Sequence, residues 1–214
     1  ILDLVANRQT GVASTLAGKP GVAYTPSAAI NIVNLICALP AIRPVVHTLF
    51  GYLCAQGPAM PHDAFWLPAS EHCSLYVHQW LPAKPVKAVV LLAHGMAEHA
   101  GRYQRLGQAL SEAGFALFAA DQRGHGRTAE QGSLGLFARD HGWNAVVNDL
   151  GRVAQHIGQQ YPCTPLFLFG HSMGSYIAQA YLLHHSASLH GAILSGSNYQ
   201  PATLYRVARQ IARL

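Results

Sequence analysis

Four short apolar runs, Val86–Ala93, Phe115–Ala120, Pro165–Phe169 and Ala192–Ser195, recur along the chain with helical segments between them. A strand without polar alternation has both faces covered, and that is the pattern of a central parallel strand. Arg102–Ala113 repeats apolar residues at Tyr103, Leu106, Leu110 and Ala113 and meets Gly114 where a helix cap belongs. Trp143–Tyr161 carries Val146, Val147, Leu150, Val153 and Ile157 on one side and is stopped by Pro162; Ser175–His185 reads as a third helix. Strands alternating with helices of this length imply right-handed crossovers. The expected fold class is therefore α/β, a mostly parallel central sheet with helices on both faces. Phe65–Leu67 and Cys73–Trp80 read as a hairpin in front of it, with Leu75, Val77 and Gln79 opposed to Tyr76, His78 and Trp80.

Composition removes several classes of function. Half of the 214 residues are apolar and 11% are charged, which excludes a disordered chain. The net charge of +5 is spread thinly, without the dense Lys/Arg cluster of a phosphate-backbone surface, so no nucleic-acid partner is expected. No apolar run reaches the length of a membrane span: Ala28–Ile42 is interrupted by Asn31 and Asn34 and stopped by Pro40. No secretory signal is read, and the opening Ile1-Leu2-Asp3 reads as a broken end. Cys37, Cys54, Cys73 and Cys163 are scattered without a C-x-x-C pair. They read as reduced, mostly buried thiols of a cytoplasmic protein.

The chemistry concentrates at the ends of the apolar runs. Leu166–Phe169 leads into Gly170-His171-Ser172-Met173-Gly174 and then a helix. In a strand–G-x-S-x-G–helix sequence, Gly170 and Gly174 allow a sharp turn that side chains would obstruct, and the turn lifts the Ser172 hydroxyl above the sheet edge. Such a serine is a nucleophile candidate, and the Met173 amide at the helix start is placed to stabilise an oxyanion. The run ending at Ala93 continues His94-Gly95-Met96-Ala97-Glu98-His99-Ala100-Gly101-Arg102-Tyr103. A histidine–glycine step there can supply a second oxyanion donor, and Met96 N–H is the candidate. His94, Glu98 and His99 have the wrong spacing for either zinc motif, so no metal is expected. Asp121-Gln122-Arg123-Gly124-His125-Gly126 lacks the helix and distal acid of a dinucleotide loop. It reads as a structural turn near the site floor.

Together these three segments, in this order, resemble the monoacylglycerol lipase and lysophospholipase branch of the α/β-hydrolase superfamily over residues 63–214. The resemblance implies ester hydrolysis of single-chain acyl lipids, without a cofactor, with Ser172 as nucleophile and Met96 and Met173 as oxyanion donors. It implies that Glu98, His99 and Arg102 form a polar network near the alcohol half of the substrate. It also implies a triad acid and histidine far beyond the elbow, yet the 42 residues after Ser172 hold no Asp or Glu, and only His184, His185 and His190. None of the three is placed to act as base, so the catalytic machinery is expected to be completed beyond Leu214, leaving these 214 residues inactive alone. Residues 60–197 form the first part of the hydrolase domain. Residues 198–214 read as the start of a cap whose amphipathic helix covers the pocket with its apolar side, with a peripheral membrane contact through its basic face as the second reading. Residues 1–59 read as an extension, or else as a hydrophobic hairpin packed on the domain or a membrane. A proline-type aminopeptidase sharing the elbow, and a non-catalytic binding fragment, stay open as alternatives.

Overall fold

The computed structural model describes residues 2–6, 62–69, 73–197 and 210. Seven strands form one sheet: β1 (Leu2–Ala6), β2 (Asp63–Pro68), β3 (Ser74–Trp80), β4 (Ala88–Ala93), β5 (Phe115–Ala120), β6 (Leu166–His171) and β7 (Gly191–Ser195). Their order across the sheet is β1-β7-β6-β4-β5-β3-β2. The four apolar runs become the contiguous parallel centre, β5-β4-β6-β7. The flanks are antiparallel: β3 pairs with β5, β2 with β3, and β1 with β7. Among the described residues three α-helices follow the parallel strands: α1 (Gln104–Glu112), α2 (Gly142–Gln160) and α3 (Met173–His185).

The two faces of each strand feed two cores. Val89, Leu91 and Ala93 join Phe118, Leu168 and Leu194 beneath α2 and α3, where Val146, Val153, Ile157 and Ile177 close the layer. Val90 and Leu92 join Leu117, Phe167, Phe169 and Ile193 on the opposite face, with Leu110 of α1 and Trp80. All six residues of β4 are buried, which explains why its sequence has no polar alternation.

Element ends shift for local reasons. The first apolar run starts at Ala88, because Lys87 turns outward and its Nζ donates to Ala113 O at 2.9 Å. The helix expected from Arg102 begins as a 3-10 turn over Ala100–Tyr103 and becomes α1 at Gln104. Gly114, at φ +90°, closes it as the spacing predicts. Cys163, expected among buried thiols, is exposed in the turn after α2, whereas Cys73 is half-buried. Cys37, Cys54 and the cap helix expected over 198–214 lie outside the described residues, apart from helical Gln210. Of the 1–59 extension only β1 is described, antiparallel along the β7 edge. No helix among the described residues is long and apolar enough to cross a membrane.

Candidate active site

The loops after β4, β5, β6 and β7 all leave the same edge of the sheet, the carboxyl ends of its parallel strands. Ser172 is the single residue between β6 and α3, at φ +50° and ψ −118°. A non-glycine residue in that region costs about 1–3 kcal/mol and persists only where its surroundings enforce it. Two glycines provide that enforcement. A Cβ on Gly174 would lie 2.0 Å from Ala93 O, so α3 crosses directly against the end of β4. A Cβ on Gly170 would lie 2.6 Å from Gly174 O. Backbone bonds complete the turn: Ser172 N–H donates to Ser195 O at 2.8 Å, and Ser175 N–H donates to Ser172 O at 2.9 Å.

Gly95 faces this serine. A Cβ built on it would come within 3.2 Å of Ser172 Cβ, so the β4 loop passes against the elbow. The chain then turns through Met96 and Ala97, the latter at φ +57°, and leaves the Met96 side chain 71% exposed. Among the described residues, neither the Met96 nor the Met173 amide donates to an acceptor, and Ser172 Oγ has no hydrogen-bond partner. Two backbone donors and one hydroxyl thus sit around the same corner of the fold.

Glu98 fastens the loop from inside. Its Oε1 accepts the Gly95 N–H and the Tyr103 hydroxyl, the latter at 2.8 Å. Burial opposes its charge, but those two donors and the nearby His171 and His94 rings hold its carboxyl below the usual range. Burial and the Glu98 carboxylate push Tyr103 upward in turn. Arg102 lies at the rim, its Nη1 3.6 Å from Glu98 Oε2 and largely exposed. His99 is exposed, with its ring against Gly101, and joins neither partner among the described residues. Of the expected Glu98–His99–Arg102 network, the structure brings two members together; the third turns away, because His99 precedes the 3-10 turn in extended conformation.

His94 is fully buried and spends both ring nitrogens on structure. Nε2 accepts the Gln122 N–H at 3.0 Å, which fixes the proton on Nδ1, and Nδ1–H donates to Gly95 O at 2.8 Å. Gln122 Nε2 donates back to His94 O at 2.7 Å. One residue earlier, Asp121 accepts Ala100 N–H and Arg127 N–H, each at 2.8 Å, and lies 3.5 Å from His78 Nε2. These bonds tie the β4 and β5 loops into one wall. Gly126 is required there, since a Cβ would fall 2.2 Å from Asp121 Oδ2.

Burial lowers His94 to about 4 from 6.5, ahead of the opposing Gly95 hydrogen bond. The unfolded chain therefore takes up a proton at this residue below pH 6.5 that the folded chain refuses down to about 4. The stability this confers is complete above pH 6.5 and is lost as pH falls toward 4. Between pH 7.5 and 5, above the carboxylate range, the contribution is about 2 kcal/mol. Urea unfolding of His94→Gln is expected to show lower stability at pH 7.5 but a pH dependence shallower by that amount; equal slopes in both proteins would refute the assignment.

The histidines downstream of Ser172 lie far from it. His184 and His185 are exposed at the far end of α3, with the His185 ring stacked on Tyr181 and the His184 ring edge-on to His185. His190 Nδ1 accepts Leu166 N–H at 3.3 Å, at the amino end of β6. Six strand residues at about 3.3 Å each separate it from the elbow by roughly 20 Å. The reading of the sequence missed a buried fork beneath the β5 loop, where Arg123 Nε and Nη2 reach Asp149 at 2.5 and 3.1 Å. A signal was present: Asp149 sits on the apolar stripe of α2 between Val146, Leu150 and Val153.

A family model described as serine aminopeptidase, S33 (Hydrolase_4) matches residues 84–214. Monoacylglycerol lipase from Mycolicibacterium smegmatis is 37% identical over 117 residues, covering 55% of this chain and 40% of that protein. Human monoglyceride lipase is 31% identical over 137 residues, covering 62% and 44%. The chain thus spans less than half the length of either relative. A thermostable carboxyl esterase from Bacillus coagulans superposes with a TM-score of 0.65 at 30% identity, covering 72% of this chain and 50% of the esterase. A soluble variant of Saccharomyces cerevisiae monoglyceride lipase, solved with a substrate analogue, gives 0.57 at 28% identity, covering 75% and 52%.

Proposed function

Because the chain belongs to the serine aminopeptidase S33 family and has the α/β-hydrolase fold, we propose that it carries the nucleophile and oxyanion pocket of a serine carboxylester hydrolase for single-chain acyl lipids, monoacylglycerol or lysophospholipid. The observation that carries this reading is the backbone of Ser172, held at φ +50° between a buried strand and a helix start, with Gly95 against it. In this reaction Ser172 Oγ attacks the ester carbonyl and its proton passes to a base. The carbonyl oxygen becomes an oxyanion, accepted by the Met96 and Met173 amides. Collapse expels the alcohol with a proton and leaves an acyl-enzyme, which water cleaves to the fatty acid. His94 is neutral and engaged on both nitrogens, so it does not serve as the base. The base and its acid partner come from outside the described residues. The names of the lipase relatives favour a lipid ester; the family's description keeps an aminopeptidase substrate as the second reading.

A fluorophosphonate probe added to the full-length protein is expected to label Ser172, found by peptide mass mapping, and labelling is expected to fall when a monoacylglycerol competes. Parallel assays on a monoacylglycerol, a lysophospholipid and a prolyl anilide separate the two readings. Turnover of the anilide alone replaces the lipase reading with the peptidase one; a full-length protein that is neither labelled nor active refutes both.

A further inference from the structure

Ser172 is positioned through its backbone, and both of its backbone groups lead to the same short segment. Its N–H donates to Ser195 O, the last residue of β7, at 2.8 Å. Its carbonyl oxygen accepts the Ser175 N–H and also the Ser175 hydroxyl at 2.6 Å. Ser175 is completely buried, and its Oγ accepts the Ser197 hydroxyl at 2.7 Å. Ser197 Oγ in turn accepts from Gln179 Nε2 at 3.2 Å, and the same Nε2 lies 3.2 Å from Ser175 O. The donors all run one way, from Gln179 through Ser197 and Ser175 to the Ser172 carbonyl, an arrangement in which each bond polarises the next.

We propose that Ser175 and Ser197 are positioning residues that hold Ser172 in its strained conformation through this hydroxyl chain, and so couple the exit of β7 to the orientation of the nucleophile. The inference rests on the reading of Ser172 as the nucleophile. A residue at φ +50° relaxes when its restraints slacken. One hydrogen-bonded restraint on each side of Ser172 leads to residues 195–197, where the chain turns at Gly196, φ +66°. A shift of the β7 exit therefore acts on Ser172 from both peptide planes at once. The Ser175 hydroxyl has no alternative partner in water, because its site is closed to solvent.

The test compares Ser175→Ala, Ser197→Val and Ser197→Thr in the full-length protein, reading steady-state hydrolysis of the ester and amide hydrogen exchange. Threonine and valine have the same shape and differ at position 197 in the hydroxyl alone. Ser175→Ala and Ser197→Val are expected to lower kcat about fivefold to tenfold, the worth of one hydrogen bond, with KM within about twofold. They are also expected to speed exchange of the Ser172 amide by a similar factor while β4 amides stay unchanged. Ser197→Thr is expected to keep both near the wild-type values. Identical behaviour of Ser197→Val and Ser197→Thr, or unchanged Ser172 exchange in Ser175→Ala, overturns the hydroxyl chain whatever the enzyme hydrolyses. Faster exchange in a protein whose wild type cleaves no ester supports the chain as a structural strut and refutes the hydrolase reading instead.

Discussion

Ser172→Ala is expected to abolish ester turnover, lowering kcat by about 10⁴-fold or more, and to remove the acyl adduct seen by intact mass. On the proposed reading the effect is this large because the substitution deletes the attacking oxygen, while the Met96 and Met173 amides alone polarise a carbonyl only modestly. The same change is expected to be nearly silent in stability, within about 0.5 kcal/mol, because Ser172 Oγ has no hydrogen-bond partner among the described residues. The turn around it is set by Gly170, Gly174 and backbone bonds, none of which involves the hydroxyl. Urea unfolding beside the kinetic assay distinguishes this from a folding defect. Turnover retained within tenfold would assign the chemistry to another residue.

Asp149→Ala has the opposite profile: a large loss of stability from a residue outside the proposed machinery. Asp149 and Arg123 are both buried and joined by two bonds in a fork, and the Arg123 backbone forms part of the turn that follows β5. Removing the carboxylate leaves a guanidinium in a dry site, which is expected to cost about 3–5 kcal/mol. Most of that penalty is desolvation of a buried guanidinium deprived of this carboxylate rather than the worth of the pair. The double variant Arg123→Met/Asp149→Leu, apolar at both positions, is therefore expected to recover most of it. Urea midpoints for the single and double variants test this; a double variant no more stable than the single one would show that the fork itself carries the energy.

Much of the architecture was legible because it depends on local chemistry. Ala88–Ala93 announces a doubly covered strand by lacking any polar residue, and Gly114 and Pro162 mark helix ends by backbone geometry alone. The elbow was legible for the same reason: Gly170 and Gly174 are demanded by contacts with their own strand, their own helix and the adjacent β4. What escaped were pairings between segments distant in sequence. Asp149 could be placed on a buried stripe, but that its partner is Arg123 depends on how α2 lies over the β5 loop, and 26 residues of chain separate them. The same holds for His94 with Gln122 and for Ser175 with Ser197. His99 shows the reverse case: the resemblance groups it with Glu98 and Arg102, and the start of a 3-10 turn sets it apart from them.

The Asp121 carboxylate, bonded to backbone on two different loops, has a consequence for molecules arriving from solution. A wall already fastened at both ends gives up little ordering entropy when a guest docks, so affinity there reports mainly the guest's own lost freedom and desolvation. On the proposed reading such a wall selects by refusal at first encounter: a guest whose outline mismatches it is turned back, because the Asp121 bonds hold both loops.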